Sequence, residues 1–292
     1  MIRKILKWTG ITVGSILLVI VVAWLVAYIS VTNRRNKVYD VKLREIPIPS
    51  DSISIAAGKR VFEMKGCGGC HGFNLEGHTE LDDPMIGRFS GPNLTRGKGG
   101  IGNDRTDRDW LMALRHGLNK EGKTLFIMPS YEYYKLSDED MANVIAYIKA
   151  QPPVDSDLPK DKLGPLGIVL AALDKIPFAP AEQIDHKYVA KAEVKKEVSA
   201  AYGEYLAMSC SGCHKPTFKG GENPVPGGKL IADISATGNV GKWTHTQFIN
   251  ALRTGKTPEG KELKNNEMPW KMTATYTDEE LTALHLYLQT MK

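Results

Sequence analysis

The chain has 292 residues, of which 42% are hydrophobic and 24% are charged, and this length is sufficient for two small domains and a membrane anchor. Six of the 38 basic residues and no acidic residue precede Val38, which leaves 32 basic against 33 acidic residues in the remainder. The formal net charge of +5 therefore comes from the N-terminus, and a remainder without a basic surplus argues against nucleic acid as a partner.

The first predicted element is an apolar helix near the N-terminus. The 23 residues from Trp8 to Ser30 carry no charge. As a helix they would extend roughly 34 Å, which is enough to cross a hydrocarbon core of about 30 Å. A cleaved signal peptide is the alternative, but its apolar region usually has only about 7–15 residues and ends at a small-x-small cleavage site. We therefore predict an uncleaved anchor over residues 1–37, with a transmembrane helix at about 8–30.

A first, mainly helical domain is predicted over residues 50–153. Its landmarks in chain order are a helix at about 54–64, the motif Cys67-Gly-Gly-Cys70-His71, a Gly/Pro/Asn-rich loop at 87–103, a helix at about 108–116, Met128-Pro129, and a last helix that opens with a capping box at Ser137-Asp-Glu-Asp140.

A linker is predicted over residues 154–194. Prolines bound this segment, and it contains one short apolar helix at about 168–173. The sequence leaves open whether this helix packs on either domain or touches the bilayer.

A second domain is predicted over residues 195–292, because the same landmarks recur in the same order about 140 residues later. They are a helix at about 195–207, Cys210-Ser-Gly-Cys213-His214, a loop at 220–241, a helix at about 246–253, Met268-Pro269, and a capping box at Thr277-Asp-Glu-Glu280. The chain is therefore predicted to contain a duplicated domain.

The two Cys-x-x-Cys-His motifs predict covalently bound haem. Thiols at i and i+3 lie on one side of a helical turn and can form thioethers to the two vinyl groups of one haem, while the adjacent histidine reaches the iron. Cys67, Cys70 and His71 would serve one haem, and Cys210, Cys213 and His214 the other. A thioredoxin-like dithiol lacks its βαβ context here, and a zinc site would leave the histidines and the Met-Pro pairs unexplained.

The second axial ligand of each iron is predicted to be a methionine. Met128 and Met268 occupy duplicated positions, and a thioether ligand raises the potential of haem iron. Met272 is the rival in the second domain. Histidine ligation is the other alternative, and its candidates are His78, His116, His245 and His285.

With these residues in view, the chain resembles class I c-type cytochromes, and more closely the membrane-bound multihaem cytochrome subunits of bacterial sugar and alcohol dehydrogenases. The stretches that carry the resemblance include Gly91-Pro-Asn-Leu-Thr95, Leu114-Arg-His-Gly117, Met128-Pro-Ser130, Leu252-Arg-Thr-Gly255 and Glu267-Met-Pro-Trp270. The resemblance implies a mainly α fold, with two tandem class I cytochrome c domains after one N-terminal transmembrane helix.

The resemblance also implies particular contacts. In domain 1, Gly58 and Phe62 should pack against Tyr147. In domain 2, Tyr205 and Tyr287 match these aromatic positions, but Ala201 stands where the glycine would be, and Gly203 is displaced. Arg115 and Arg253 look like contacts of a haem propionate, and a solvated helix arginine is the alternative.

The predicted function is electron transfer rather than catalysis. Two six-coordinate irons would pass electrons from a membrane-bound dehydrogenase or quinol-oxidising complex to a terminal oxidase or soluble cytochrome. Because c-type haem is attached outside the cytoplasm, the domains should lie in the periplasm or its equivalent, with the anchor in the inner membrane. The alternatives are a dihaem peroxidase or sulfur-compound oxidoreductase with one open iron, and a fixed haem subunit of a respiratory complex.

Overall fold

The computed structural model describes residues 1–223 and 228–292. Its main elements are α1 (Ile2–Asn36), α2 (Ser52–Met64), α3 (Gly68–His71), β1 (His78–Asp83), β2 (Gly87–Gly91), α4 (Asp107–His116), α5 (Asp138–Ala150), β3 (Lys162–Leu163), α6 (Pro165–Ala172), α7 (Ala200–Ala207), α8 (Ser211–His214), α9 (His245–Thr254), α10 (Trp270–Thr273) and α11 (Asp278–Thr290).

The fold is mainly helical, as predicted, and begins with a long apolar helix. Among the described residues, α1 is the one helix that is long and apolar enough to cross a membrane, judged by length and composition. None of its most apolar window is buried against the rest of the protein.

Domain 1 is built on the crossing of its first and last helices, α2 and α5. A Cβ at Gly58 would overlap the carbonyl oxygen of Asn143 and lie 2.9 Å from the Cβ of Tyr147. The rings of Phe62 and Tyr147 pack with their centroids 5.3 Å apart. The predicted contact of Gly58 and Phe62 with Tyr147 is therefore confirmed, and the glycine lets the two helix backbones touch.

Domain 2 has the same crossing between α7 and α11, and Tyr287 lies in it as predicted, but position 201 and Tyr205 were wrong. Gly203 makes the close contact, because a Cβ there would overlap the Ala283 carbonyl and lie 2.7 Å from the Cβ of Tyr287. Tyr287 packs edge-on against Phe218, with centroids 5.6 Å apart, and not against Tyr205.

A difference in spacing explains this error. Gly58 precedes Cys67 by nine residues, whereas Gly203 precedes Cys210 by seven. The helix before the second motif also begins at Ala200, five residues later than predicted. A constant offset between the two domains therefore placed the glycine position at Ala201.

A small antiparallel sheet covers one side of domain 1. Strands β1 and β2 form a hairpin, and β3 from the linker pairs with β2 through Gly87 and Arg88. The prediction of a loop from 87 to 103 was therefore wrong for its first five residues. In the loop predicted at 220–241, residues 224–227 lie outside the described part of the chain, and Gly221 pairs with Ile231 in an isolated bridge.

The linker packs on the anchor helix. Val31 of α1 shares an apolar cluster with Ile168 and Ala171 of α6 and with Phe178 farther along the linker. The sequence left the position of the linker helix open, and the structure places it against α1.

Reciprocal polar contacts join the two domains. Arg60 of α2 forms an ion pair with Glu280 in the first turn of α11. At the equivalent place, the Tyr205 hydroxyl of α7 donates to Asp140 in the first turn of α5, at 2.6 Å. Arg60 and Tyr205 lie two positions after Gly58 and Gly203 respectively, so they occupy equivalent positions. The two domains are therefore related by an approximate twofold axis at this interface.

This pairing changes one of the two predicted capping boxes. In α11, Thr277 and Glu280 form the complete box. In α5, the Ser137 side chain accepts from the Asp140 N–H at 3.1 Å, but the Ser137 N–H donates to the hydroxyl of Tyr205 instead of the Asp140 carboxylate. The predicted box at Ser137 is therefore only half formed, because a tyrosine from domain 2 takes part in it.

Exchanging glycine and alanine in α7 tests the revised helix contact. We expect Gly203→Ala to lower the free energy of unfolding by about 3 kcal/mol, because the added methyl group overlaps a backbone carbonyl. Ala201→Gly should cost at most ~1 kcal/mol, the conformational price of glycine in a helix. Denaturant titration measures both values, and a larger loss in Ala201→Gly would contradict the assignment.

Candidate functional site

The first Cys-x-x-Cys-His motif forms a single helical turn. Cys67 is the N-cap of α3, Cys70 lies within it, and neither thiol forms a disulfide. The Nδ1 of His71 lies 3.0 Å from the carbonyl oxygen of Pro92. Because a carbonyl only accepts, Nδ1 carries the proton and Nε2 keeps its lone pair for a metal.

The second motif repeats this geometry in α8. The Nδ1 of His214 donates to the carbonyl of Ala232 at 2.8 Å, which again leaves Nε2 as the acceptor. The backbone after each motif is also the same: Leu75 and Phe218 both adopt a left-handed conformation, with φ of 62° and 57°. Both are buried. The two histidines are therefore oriented by equivalent loops.

The environment of the thiols does not favour a redox-active dithiol. Such a pair needs a thiol whose pKa is depressed. Here burial raises the pKa of Cys67 to about 12 and that of Cys70 to about 11. Burial also raises the pKa of Cys210 to about 11. Thiols with raised pKa values are mostly protonated at neutral pH and are therefore poor nucleophiles for thiol–disulfide exchange.

The two cysteine pairs also do not assemble a zinc site. Over residues 1–223 and 228–292, no three side chains of His, Cys, Asp or Glu converge so as to hold a metal ion.

The two candidate methionines share one local structure. Met128 packs beside the apolar cluster of domain 1 that Cys67 borders, and Met268 beside the cluster of domain 2 that Cys210 borders. The prolines that follow have nearly equal dihedral angles, with φ −79° and ψ 54° in one and φ −75° and ψ 61° in the other.

A short hydrogen bond closes each of these turns. The Ser130 N–H donates to the carbonyl of Met128 at 2.8 Å, and the Trp270 N–H donates to that of Met268 at 2.7 Å. Such i to i+2 bonds define inverse γ-turns. The duplicated Met-Pro sequence thus corresponds to a duplicated backbone.

The rival ligand Met272 takes part in a different contact. Its sulfur lies against Gly66 of domain 1, 2.8 Å from the position that a Cβ would take there. The sulfur therefore packs in the interface between the domains, which favours Met268 as the ligand.

The four alternative histidines all have partners of their own. The Nδ1 of His116 lies 3.1 Å from that of His186, His245 bonds to Thr282, His285 bonds to Gln289, and His78 pairs with Glu80. His285 also stacks on Phe248, with centroids 4.7 Å apart.

The two candidate propionate contacts brace the segments that follow the methionines. The guanidinium of Arg115 donates to the carbonyls of Tyr134 and Leu136 and pairs with Asp138. Arg253 likewise donates to Ala274 and pairs with Asp278. Arg115 is buried, so it is not a solvated helix arginine. Its contact with a propionate stays a prediction, since protein groups already satisfy much of its hydrogen-bonding capacity.

The interface contacts that connect the two motifs were not predicted: Met272 was considered only as a ligand, and Glu132 was not considered. Glu132 of domain 1 reaches across the interface, and a Cβ at Gly212, between Cys210 and Cys213, would overlap its carboxylate. Burial raises the pKa of Glu132 to about 7, against the opposing effect of the Lys65 charge. Glu132 and Met272 each follow the candidate methionine of their domain by four residues. Because a carboxylate and a thioether differ chemically, comparison of the two repeats did not identify these positions as equivalent.

These residues fit one covalently attached haem c in each domain. Each site has two thiols on one helical turn, a histidine whose Nε2 is free, and a methionine beside the same apolar cluster.

Comparison with known proteins agrees with this geometry. The sequence is 26% identical over 280 residues to the cytochrome c subunit of a quinone-dependent alcohol dehydrogenase from Gluconacetobacter polyoxogenes, an alignment that covers 83% of this chain and 57% of that protein. It is 26% identical over 276 residues to the fructose dehydrogenase cytochrome subunit of Gluconobacter japonicus, with 84% and 54% covered. The chain spans little more than half the length of these distant relatives.

The family comparison covers both domains separately. The family model for cytochrome c matches residues 55–152 and 200–292, which together make up about two thirds of the sequence. Both matched ranges contain one Cys-x-x-Cys-His motif and one Met-Pro pair. The chain therefore belongs to the cytochrome c family and contains two cytochrome c domains.

Proposed function

We propose that this protein carries electrons through two covalently bound haems. One is attached at Cys67 and Cys70 with His71 and Met128 as axial ligands. The other is attached at Cys210 and Cys213 with His214 and Met268. The observation that carries the proposal is that both attachment motifs lie at the interface between the domains: Gly212 inside the second motif and Gly66 directly before the first contact residues of the opposite domain.

The contacts at this interface are reciprocal. Glu132 of domain 1 lies against Gly212 inside the second motif, and Met272 of domain 2 lies against Gly66 beside the first. The Lys65 ammonium, two residues before Cys67, lies 3.5 Å from the carbonyl of Tyr205. Because the motifs share one interface, haems attached to them would be separated there by a few side chains, which suits electron transfer between them.

The protein's own groups hold each site rigid. Haem c supplies the one-electron chemistry at its iron. The carbonyls of Pro92 and Ala232 fix the orientation of the two histidines. The prolines after Met128 and Met268 fix the backbone next to the methionines that would be the second ligands. Groups that do not rearrange between oxidation states keep the cost of electron transfer low.

We further propose that α1 stays attached as a single-pass anchor in the inner membrane, with the haem domains on the extracytoplasmic side. Its C-terminal part belongs to the fold: Trp24 donates to the carbonyl of Pro165 at 3.0 Å, Val31 is buried, and Arg34 pairs with Glu182. Cleavage after the apolar segment would remove Trp24 from this contact.

The donor that the comparisons favour is a membrane-bound dehydrogenase. The relatives are named as cytochrome subunits of alcohol, fructose and gluconate dehydrogenases. A terminal oxidase or a soluble cytochrome would then accept the electrons. Anchoring raises the effective concentration of such partners within the same membrane.

The proposed function predicts a specific response of the purified protein to ligands and titration. We expect two haems per chain with reduced spectra of the c type, reversible potentiometric titration of both, and no binding of carbon monoxide at neutral pH. Binding of carbon monoxide, or turnover of peroxide, would instead indicate an open iron and support an enzyme.

Substitution of the methionines tests the axial ligands. We expect Met128→Ala and Met268→Ala each to remove about half of the weak sulfur-to-iron absorption band of the oxidised protein. Met272→Leu is the matched control and should keep the whole band, because its sulfur packs against Gly66. Loss of the band in Met272→Leu would show that the wrong methionine was chosen.

The Glu132 carboxylate predicts a pH-dependent potential for the second haem. With a pKa of about 7, this group gains a negative charge as the pH rises through neutrality. A negative charge beside the attachment motif stabilises the ferric form, so the potential should fall between about pH 6 and 8. The fall should be below the limit of about 59 mV per pH unit for one proton per electron.

In Glu132→Gln, the potential of the second haem should change less with pH between about pH 6 and 8, as measured by spectroelectrochemistry. The exposed Glu279, on the first turn of α11, provides the control variant Glu279→Gln, which should leave the slope unchanged. If the potential of Glu132→Gln depends on pH as strongly as that of the unmodified protein, then a group other than Glu132 is responsible for the pH dependence.

A further inference from the structure

The C-terminal part of α1 and the linker helix α6 lie side by side. Trp24, Ala27, Val31 and Arg34 recur at spacings of three and four residues, so they share one face of α1. The indole N–H of Trp24 donates to the carbonyl of Pro165 at the start of α6.

The far end of α6 meets α1 as well. The Arg34 guanidinium lies 3.5 Å from the carbonyl of Ala171 and 2.7 Å from the carboxylate of Asp174. The start of α6 is therefore level with Trp24 and its end is level with Arg34, so the two helices run parallel.

Within the described part of the chain, one face of α6 is only partly covered by protein. Gly167, Ile168 and Ala171 are buried toward the fold. Leu166, Val169, Leu170 and Leu173 follow the i, i+3, i+4, i+7 pattern of the opposite face. Leu166 is 43% exposed and Leu173 is 64% exposed, and the other two are partly exposed.

The composition of this segment suits hydrocarbon better than water. No charged residue occurs from Leu163 to Leu173, and the outward face consists of branched aliphatic side chains alone. Charged residues flank the segment on both sides: the exposed Lys162 lies directly before it in β3, and Asp174 and Lys175 follow it beside Arg34. A sharp change from aliphatic to ionic residues at one level is typical of a membrane–water boundary.

The depth of α6 follows from its alignment with α1. The uncharged segment of α1 ends at Ser30, six residues beyond Trp24, which corresponds to roughly 9 Å along the helix. Interfacial helices insert their apolar face about 5–10 Å into the boundary between headgroups and acyl chains.

We infer that α6 is a second membrane-embedded element, which inserts its Leu166–Leu173 face into the lipid leaflet beside the C-terminal end of α1. We take lipid as the occupant because α6 packs against α1, and Leu25, Val26 and Ile29 of α1 are exposed apolar residues at the same level. The hairpin of domain 1 holds α6 in place, since the Leu166 N–H donates to the carbonyl of Met85 at 2.9 Å. The inference depends on the proposed anchor.

Nitroxide labelling of the full-length holoprotein in lipid nanodiscs tests the inference. The four native cysteines are consumed by the haems in the proposed state, so an introduced cysteine is the sole labelling site. The variants are Leu166→Cys, Val169→Cys and Leu173→Cys on α6, Val19→Cys within the anchor, and Val189→Cys at an exposed site of the linker. Power saturation measures the collision of each label with oxygen, which is enriched in lipid, and with a water-soluble nickel chelate.

We expect the labels at Leu166 and Val169 to be accessible to oxygen and at least several-fold less accessible to nickel than the label at Val189. The label at Leu173 should lie at a shallower depth, because α6 rises toward Arg34. Nickel accessibility at Leu166 equal to that at Val189 would overturn the inference. Low accessibility to both reagents would also overturn it, since a protein surface would then cover the face.

The label at Val19 separates this inference from the anchor on which it depends. If the label at Val19 lies in lipid and the label at Leu166 does not, the proposed anchor is supported and the inferred insertion of α6 is wrong. If Val19 itself is accessible to nickel, the proposed anchor fails first. Val169→Cys provides an independent reading if the Leu166 variant does not fold.

Discussion

Two buried carboxylates determine how the halves of this molecule fit together. Asp140 and Glu280 occupy the same turn of the last helix in their domains, and each binds a side chain from the first helix of the other domain. A carboxylate removed from water is strongly destabilising unless it is paired. Since those first helices end at the Cys-x-x-Cys-His motifs, the pairing that satisfies the carboxylates also brings the two motifs to one interface.

The features that sequence analysis predicted correctly depend on residues close together in the chain. The helix at about 108–116, the recurrence of the Met-Pro pair and the helical turn that contains each cysteine pair need only local dihedral angles and local hydrogen bonds. Because these requirements act over a few residues, duplication preserved them in both domains at a nearly constant offset. The capping box at Thr277 follows the same logic, whereas that at Ser137 differs because a distant tyrosine intervenes.

The features that were missed depend on distant partners. Strand β1 reads His-Thr-Glu-Leu-Asp-Asp, a sequence with little strand propensity, and it forms because it pairs with β2, which pairs in turn with β3 from the linker. The contact at Gly203 was misplaced because Gly203 is two residues closer to its motif than Gly58 is to the first motif. Glu132 became visible as a functional candidate only when folding placed it against Gly212.

The way in which α1 joins the domains determines what anchoring could achieve. The segment after α1 pairs with domain 1 between Val38 and Lys123, and the Tyr39 N–H donates to the carbonyl of Gly122 at 2.9 Å. Arg34 fastens the helix to the linker, which continues into the sheet of domain 1. A random-coil tether limits only the distance to a partner, whereas attachment at several points also fixes orientation. With α1 in a bilayer, domain 1 would therefore keep one orientation relative to the membrane. Anchoring would raise the effective concentration only for redox partners whose docking surface lies at the same height above the membrane and faces domain 1.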